Sequence, residues 1–314
     1  MSAGIELRAL VLIGIAASSL QCPAQGEKTG PANAKIREAE VALGSDAGRG
    51  DGVAWLRLAI DYQDAARYGD AERAYRQAIK LLKTKDRTTY AAALDHMGTM
   101  YVERGKFAKA EPLERKALAI HEDQNAPAAI GASYMHLAML LYGRHDLAGA
   151  EADAEMAASL LAPEHTEPKA SGATPEEQMT ALIDLSLIRC ARGECAGTIH
   201  DLNRAMHLAH ANYPTESVPV GFLDYLLGYA QWKSGDAGSA TERMGQGIGE
   251  MEKDMGWGHP TYVAALKQYR TLLMQRGREA DAEEIGERIA KLEGASRGVE
   301  RENVGGSPAI SALR

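Results

Sequence analysis

The stretch that most constrains the fold runs from Tyr90 to Ile120, YAAALDHMGTMYVERGKFAKAEPLERKALAI. Small residues (Gly98, Ala110 and Ala117) alternate there with large apolar ones at helical spacing, and Gly105 interrupts the pattern near its middle. This pattern predicts two short helices that fold back on each other, with the small residues at the helix–helix contact and Gly105 in the turn.

The same arrangement recurs along the chain. The first unit reads W-x2-L-A-x2-Y followed by A-x3-Y-x2-A and contains Trp55, Leu58, Ala59, Tyr62, Ala71, Tyr75 and Ala78. A small residue opens the second helix of each unit, 39 to 48 residues apart, at Ala71, Ala110, Ala150, Thr198, Ala240 and Ala282. One hairpin cannot bury both of its apolar sides, so the sequence predicts a stack of about six helical hairpins.

These residues resemble the tetratricopeptide repeat, with Ala59 in place of the usual Gly. The spacing exceeds the usual period of about 34 residues. This longer spacing resembles the kinesin-light-chain type of the repeat. So do the segment AEPLERKAL at Ala110–Leu118 and the His259–Pro260 pair that precedes a first helix. The resemblance covers residues 51–292 and implies an all-α, right-handed solenoid whose first helices line a groove. It carries no motor-binding role, because the chain has no heptad coiled coil.

Composition divides the chain into segments. We predict a signal peptide, a flexible leader with a short helix, three repeat units, a loop or hinge rich in Pro, three further units and a disordered tail. Their bounds are 1–24, 25–50, 51–161, 162–177, 178–293 and 294–314.

The N-terminus predicts export. Arg8 precedes an apolar run, Ala9–Ala17, that is too short to span a bilayer and fits the core of a signal peptide. We therefore expect a secreted or periplasmic protein with no membrane span after cleavage; an uncleaved membrane anchor and a cytosolic start are the alternatives. In an oxidising compartment Cys190 and Cys195 are a possible disulfide. Their positions at packing sites favour the other interpretation, two small buried apolar residues.

Charge and motifs exclude several function classes. Lys and Arg number 35 against 43 Asp and Glu, a net charge of −8, which argues against a nucleic-acid partner. The sequence has no G-x-S-x-G, H-E-x-x-H or G-x-x-x-x-G-K-[ST] motif, so we predict no enzyme and no cofactor. His200, His207 and His210 share a helix face but lack an i,i+4 pair, which predicts a solvated face and no metal site.

The resemblance places apolar and aromatic side chains at groove positions, and exposed patches of this kind often bind partners. We hypothesise that a peptide or partner helix binds there; the alternative is that these side chains are ordinary core. The six residues are Met135, Met139, Tyr142, Tyr225, Tyr229 and Trp232. His96 and His136 occupy equivalent positions next to the groove, and partly buried structural roles are favoured over bonds to a peptide.

The function that follows is a non-catalytic protein–protein interaction scaffold. Two alternatives stay open. The first is a structural module of an envelope or secretion assembly, and the second is a regulatory or sensor subunit that acts through another chain. The sequence specifies neither the partner nor the oligomeric state.

Overall fold

The computed structural model describes residues 31–44, 50–164, 172–215, 217–255 and 260–304. Throughout these residues the regular secondary structure is helical, which confirms the predicted all-α class. The predicted signal peptide lies outside the described residues, as do residues 25–30 and 45–49 of the leader. None of the described helices combines the length and the apolarity that a membrane crossing requires.

The described residues up to Arg192 form one compact unit, the N-terminal unit. The hairpins α2/α3, α4/α5 and α6/α7 are the first three predicted units, and α1 is the short helix predicted in the leader. The helices are α1 (Pro31–Gly44), α2 (Gly52–Asp64), α3 (Tyr68–Leu82), α4 (Arg87–Glu103), α5 (Phe107–Asp123), α6 (Pro127–Gly143), α7 (Leu147–Leu161) and α8 (Pro175–Ala191).

The described residues from Gly193 onward form a second compact unit, the C-terminal unit. A 3-10 turn, Cys195–Thr198, leads into its first α-helix. The hairpins α10/α11 and α12/α13 correspond to predicted units five and six. The helices are α9 (Ile199–Asn212), α10 (Val218–Lys233), α11 (Ala237–Met255), α12 (Pro260–Gln275) and α13 (Glu279–Val304).

Small polar residues fix several helix starts. The Asp51 carboxylate accepts hydrogen bonds of 3.0 Å from two backbone amides of the first turn of α2. The Asp86 carboxylate accepts one such bond in α4, from the Thr89 amide at 3.1 Å. Thr174 and Glu177 form a reciprocal capping box, so α8 begins at Pro175, inside the segment predicted as a loop. Each cap satisfies amides that would otherwise lack a partner within the helix.

The turns between paired helices require a left-handed residue. Three of the glycines predicted there have positive φ: Gly105 (66°), Gly235 (99°) and Gly277 (69°). The fourth, Gly193, also has positive φ (92°). Two of the remaining turns place side chains in the same region, Ala66 (54°) and His145 (67°), and Asn125 (50°) joins two successive hairpins. Residues with a Cβ pay a steric cost in this conformation, which Gly does not.

Close helix packing builds both cores. The second-helix alanines Ala71, Ala110 and Ala240 are fully buried, as the repeat pattern predicts. In the C-terminal unit a methyl group at Gly247 would collide with the backbone of Gly221. The small residues therefore set how near the paired helices approach.

The last helix is longer than the sequence predicts. The disordered tail was predicted from residue 294, but α13 continues to Val304, so the prediction is wrong for residues 294–304. No Pro lies between Glu279 and Val304, and nothing there interrupts the helical hydrogen bonding. Residues 305–314 lie outside the described part of the chain.

Candidate functional site

Most of the predicted peptide-contact residues lie in the interior. Of the six, Met135 is half-buried and the other five are buried: Met139, Tyr142, Tyr225, Tyr229 and Trp232. Neighbouring helices cover these side chains, so they do not form an exposed apolar surface in this structure. Their contact with a peptide stays a prediction.

In the C-terminal unit the aromatic side chains of α10 pack on one another and on a cation. The Tyr225 and Tyr229 rings are stacked with centroids 6.3 Å apart, and Tyr229 meets Trp232 edge-on at 5.8 Å. The Lys233 ammonium lies 3.9 Å from the Trp232 ring centroid. Trp232 Nε1 donates a 2.9 Å hydrogen bond to Gln275 on α12. These contacts hold the rings in place.

The first helices of the N-terminal unit carry polar side chains instead. The Tyr75 hydroxyl donates to Gln63 Oε1 (2.7 Å), and Gln63 Nε2 donates to Glu103 Oε1 (3.0 Å), which links α2 to α4. Burial and then the Asp61 charge raise the pKa of Asp64. Burial also raises the pKa of Glu103, and the Asp64 charge adds to it. We call Asp61, Asp64 and Glu103 the acidic face.

A second polar group lies deeper between helices α4, α5 and α6. His121 Nε2 lies 2.9 Å from Asp95 Oδ2, and the Ser133 hydroxyl donates to Asp95 Oδ1 at 3.4 Å. His136 Nδ1 lies 3.3 Å from Glu114 Oε2. Glu114 is completely buried. We call Asp95, Glu114 and His136 the buried cluster.

Burial and neighbouring charges shift the pKa values in this region. Burial raises the pKa of Glu114, because the charged form loses its hydration. Burial lowers the pKa of His136, but the carboxylates of Glu114, Asp95 and Asp184 together more than offset this, and the net pKa is raised. Asp184 on α8 is almost fully buried, which raises its pKa to about 8 against the opposing charge of His136.

The sequence contains a signal for this cluster that the repeat pattern obscured. Glu114 lies sixteen residues after Gly98, just as Met244 lies sixteen residues after Gly228. The corresponding position holds an apolar or small residue in the other units: Tyr75, Ala154, Leu202, Met244 and Gly286. A carboxylate at a position that packs against a neighbouring helix is the departure that marks the site.

The structure also gives the surroundings of the cysteines and histidines that the sequence analysis considered. Cys190 and Cys195 are both disulfide-bonded residues in the structure. His200, His207 and His210 are exposed on α9. The Glu114 carboxylate has no solvent-exposed surface, so its position suits holding a buried charge and not direct contact with a diffusing substrate.

Comparison with known proteins supports the helical-repeat fold. Residues 51–123 match the family model described as tetratricopeptide repeat. No match to the sequence was found among curated proteins.

Solved structures extend the similarity along the chain. BtubC (BKLC) from P. vanneervenii is 16% identical, with a TM-score of 0.56 and coverage of 91% of this chain and 98% of that one. The apo form of RapI is 10% identical, with a TM-score of 0.61 and coverage of 86% and 92%. A Rap protein complexed with Competence and Sporulation Factor is 16% identical, with a TM-score of 0.55 and coverage of 90% and 80%. At these identities the likeness shows the fold, an array of tetratricopeptide-type helical repeats.

Proposed function

We propose that this tetratricopeptide-repeat chain is a non-catalytic scaffold that binds a peptide or partner helix along the first helices of its N-terminal unit. The observation that carries the proposal is the acidic face. Asp61 and Asp64 lie one turn apart on α2, and the 3.0 Å bond from Gln63 of the same helix brings Glu103 to them. Besides burial, the Asp61 charge raises the pKa of Asp64, and the Asp64 charge raises that of Glu103. None of the three carboxylates forms an ion pair with a described residue.

A basic partner relieves this repulsion. Lys or Arg side chains of a bound peptide would supply the missing positive charge at Asp64 and Glu103, which reach solvent although neighbouring side chains partly bury them. Gln63 and Thr99 are half-buried beside these carboxylates and offer hydrogen bonds to a peptide backbone. The acidic face thereby replaces the predicted aromatic surface as the principal contact, with Met135 as the most accessible of the six predicted residues.

The fold supplies a precedent for this mode of action. One structurally similar Rap protein is complexed with Competence and Sporulation Factor, which supports partner binding as a use of such helical arrays. The proposal stands on the charges of this chain, because the similarity at 16% identity extends to the fold alone.

We also propose that the protein is exported, as its N-terminal apolar segment predicts. The disulfide-bonded Cys190 and Cys195 support this location, because disulfides persist mainly in oxidising compartments. Fractionation of cells that produce the chain, followed by N-terminal sequencing, tests it. A mature N-terminus close to residue 25 is the expected result, and recovery of intact Met1 from the cytosol would contradict it.

Affinity capture from the exported fraction tests the binding proposal. The wild-type chain is compared with Asp64→Asn/Glu103→Gln and with Tyr229→Ala/Trp232→Ala. Glu122→Gln/Glu283→Gln is the matched control, since it removes two exposed carboxylates from second helices. We expect wild type and control to capture the same partner, the acidic-face variant to lose it, and added salt to weaken it.

Two other results would change the proposed binding site or function. Capture that survives Asp64→Asn/Glu103→Gln but is lost in Tyr229→Ala/Trp232→Ala would return the site to the aromatic residues of α10. Self-association of the purified chain without any captured partner would favour a structural module.

A further inference from the structure

The buried cluster brings three metal-type ligands together from three successive helices. Asp95 comes from α4, Glu114 from α5 and His136 from α6, and one ligand atom of each lies within 4.8 Å of the others. His136 Nδ1 and Glu114 Oε2 are 3.3 Å apart. Two ligands bound to the same ion at about 2.0–2.2 Å lie at such a separation.

The central carboxylate is buried with few partners. Glu114 is 0% exposed; His136 Nδ1 lies 3.3 Å from Oε2 as an ion pair, and neither carboxylate oxygen makes a hydrogen bond of regular geometry. A buried carboxylate in this condition is costly unless a cation compensates it. Two imidazoles, His121 beside Asp95 and His136 beside Glu114, face three carboxylates once Asp184 is included, so a divalent ion would balance the charge more fully.

The surrounding chain makes room for this arrangement. A methyl group at Gly98 would collide with the Glu114 carboxylate, so the absence of a side chain there creates the space that the carboxylate occupies. His121 and Ser133 both bond to Asp95 and fix the orientation of its oxygens. Hydrogen bonds of this kind commonly position metal ligands in proteins.

A further carboxylate stands beside the cluster. Asp184 is 1% exposed, both of its oxygens lack a hydrogen-bond partner, and its charge acts on His136. The Asp95 and His136 side chains are 14% and 21% exposed, whereas Glu114 has no exposed surface.

We propose that Asp95, Glu114 and His136 bind one divalent first-row transition metal ion between the second and third repeats. An imidazole with two carboxylates suits Zn²⁺, Fe²⁺ or Mn²⁺, whereas Mg²⁺ and Ca²⁺ favour sites made of oxygen ligands alone. The ion cross-links α4, α5 and α6. This site is separate from the acidic face, and its test does not depend on peptide binding.

Metal titration of the full chain tests the site. The purified protein is stripped with a chelator and titrated with Zn²⁺, Mn²⁺ or Mg²⁺ by calorimetry, and retained metal is counted after dialysis. We expect one Zn²⁺ per chain, with Mg²⁺ at least tenfold weaker. Glu114→Gln and His136→Gln should each weaken Zn²⁺ binding at least tenfold. The controls Glu122→Gln, on the exposed face of α5, and His207→Gln, on α9, should bind as wild type does.

The metal ligands can also be identified directly in the wild-type protein. If both cluster variants lose helicity by circular dichroism, X-ray absorption of the Zn²⁺-loaded wild type decides the question. One imidazole nitrogen with an otherwise oxygen shell, unchanged in His200→Gln, supports the site. A shell of several imidazoles or of sulfur overturns the proposal. So does the absence of bound Zn²⁺ at large molar excess, or binding unchanged in both folded cluster variants.

Discussion

Two hairpins of the same type place different chemistry at the same positions. In α4/α5 the space left by Gly98 holds the carboxylate of Glu114, and in α10/α11 the space left by Gly228 holds the side chain and backbone of Met244. The residue three positions before each glycine also differs: it is Asp95 in α4 and Tyr225 in α10. The repeat thus dictates where the helices meet and leaves the nature of the contact to individual residues.

The two units are consequently stabilised in different ways. In the N-terminal unit polar bonds join successive helices, such as Gln63 to Glu103 and His121 to Asp95. In the C-terminal unit α10 contributes stacked aromatic rings. It also contributes Gly228, where any Cβ would collide with Met244 on α11. The Glu114 carboxylate is tolerated because the His136 imidazole lies beside it, whereas the equivalent space, left by Gly228, is filled by the apolar side chain of Met244.

Transferring the carboxylate should have the largest effect. Met244 is fully buried, so Met244→Glu would place an uncompensated charge in the core of the C-terminal unit. We expect a loss of about 3–5 kcal/mol in the free energy of unfolding. Urea denaturation followed by circular dichroism measures the loss, and hydrogen exchange in α10 and α11 locates it.

The control for this transfer is Met244→Leu, which keeps the volume nearly constant and should cost less than about 1.5 kcal/mol. If Met244→Glu were as stable as this control, the C-terminal unit would accommodate a buried carboxylate unaided. The contrast between the two hairpins would then fail.

The same substitution at the two glycines should have unequal costs. A Cβ at Gly228 would lie 2.9 Å from the backbone nitrogen of Met244, which cannot move independently, whereas at Gly98 it meets the far end of the Glu114 side chain. Both changes gain about 1 kcal/mol of helix propensity, and overpacking offsets this gain by about 1–3 kcal/mol.

We therefore expect Gly228→Ala to destabilise the fold and Gly98→Ala to be close to neutral in stability while weakening Zn²⁺ binding. Thermal unfolding of both variants, with the Zn²⁺ titration as a second measurement, makes the comparison. Equal shifts in Tm, with Zn²⁺ affinity retained in Gly98→Ala, would show that Glu114 does not depend on the space at Gly98.

The smallest expected effects lie in the turns. Ala66 has a φ of 54°, whereas the C-terminal unit uses Gly235 at 99° in the equivalent turn, and nothing lies within 4 Å of a Cβ built there. Relief of the left-handed strain should make Ala66→Gly more stable by about 0.5–1 kcal/mol, and Gly235→Ala should lose about 1 kcal/mol. Chemical denaturation of each variant measures both; a loss of stability in Ala66→Gly would show that other contacts fix this turn.

Much of the fold followed from the sequence. Helical spacing and the position of small residues predicted the hairpins, and Gly105, Gly235 and Gly277 were correctly placed in turns of positive φ. These features are local, because a helix repeats every 3.6 residues and only Gly adopts the left-handed region without steric cost. The end of α13 was missed because composition alone does not determine whether a polar segment continues a helix.

The candidate sites were decided by tertiary structure. Periodicity states which side of a helix a residue occupies, so Tyr225 and Tyr229 could be placed on a first-helix face, but burial depends on what packs across that face. Glu114 similarly follows an ordinary repeat spacing. Glu114 becomes part of a candidate site only because the fold brings Asp95 on α4 and His136 on α6 close to it. Electrostatic interactions depend on distance, and these residues are remote in the sequence.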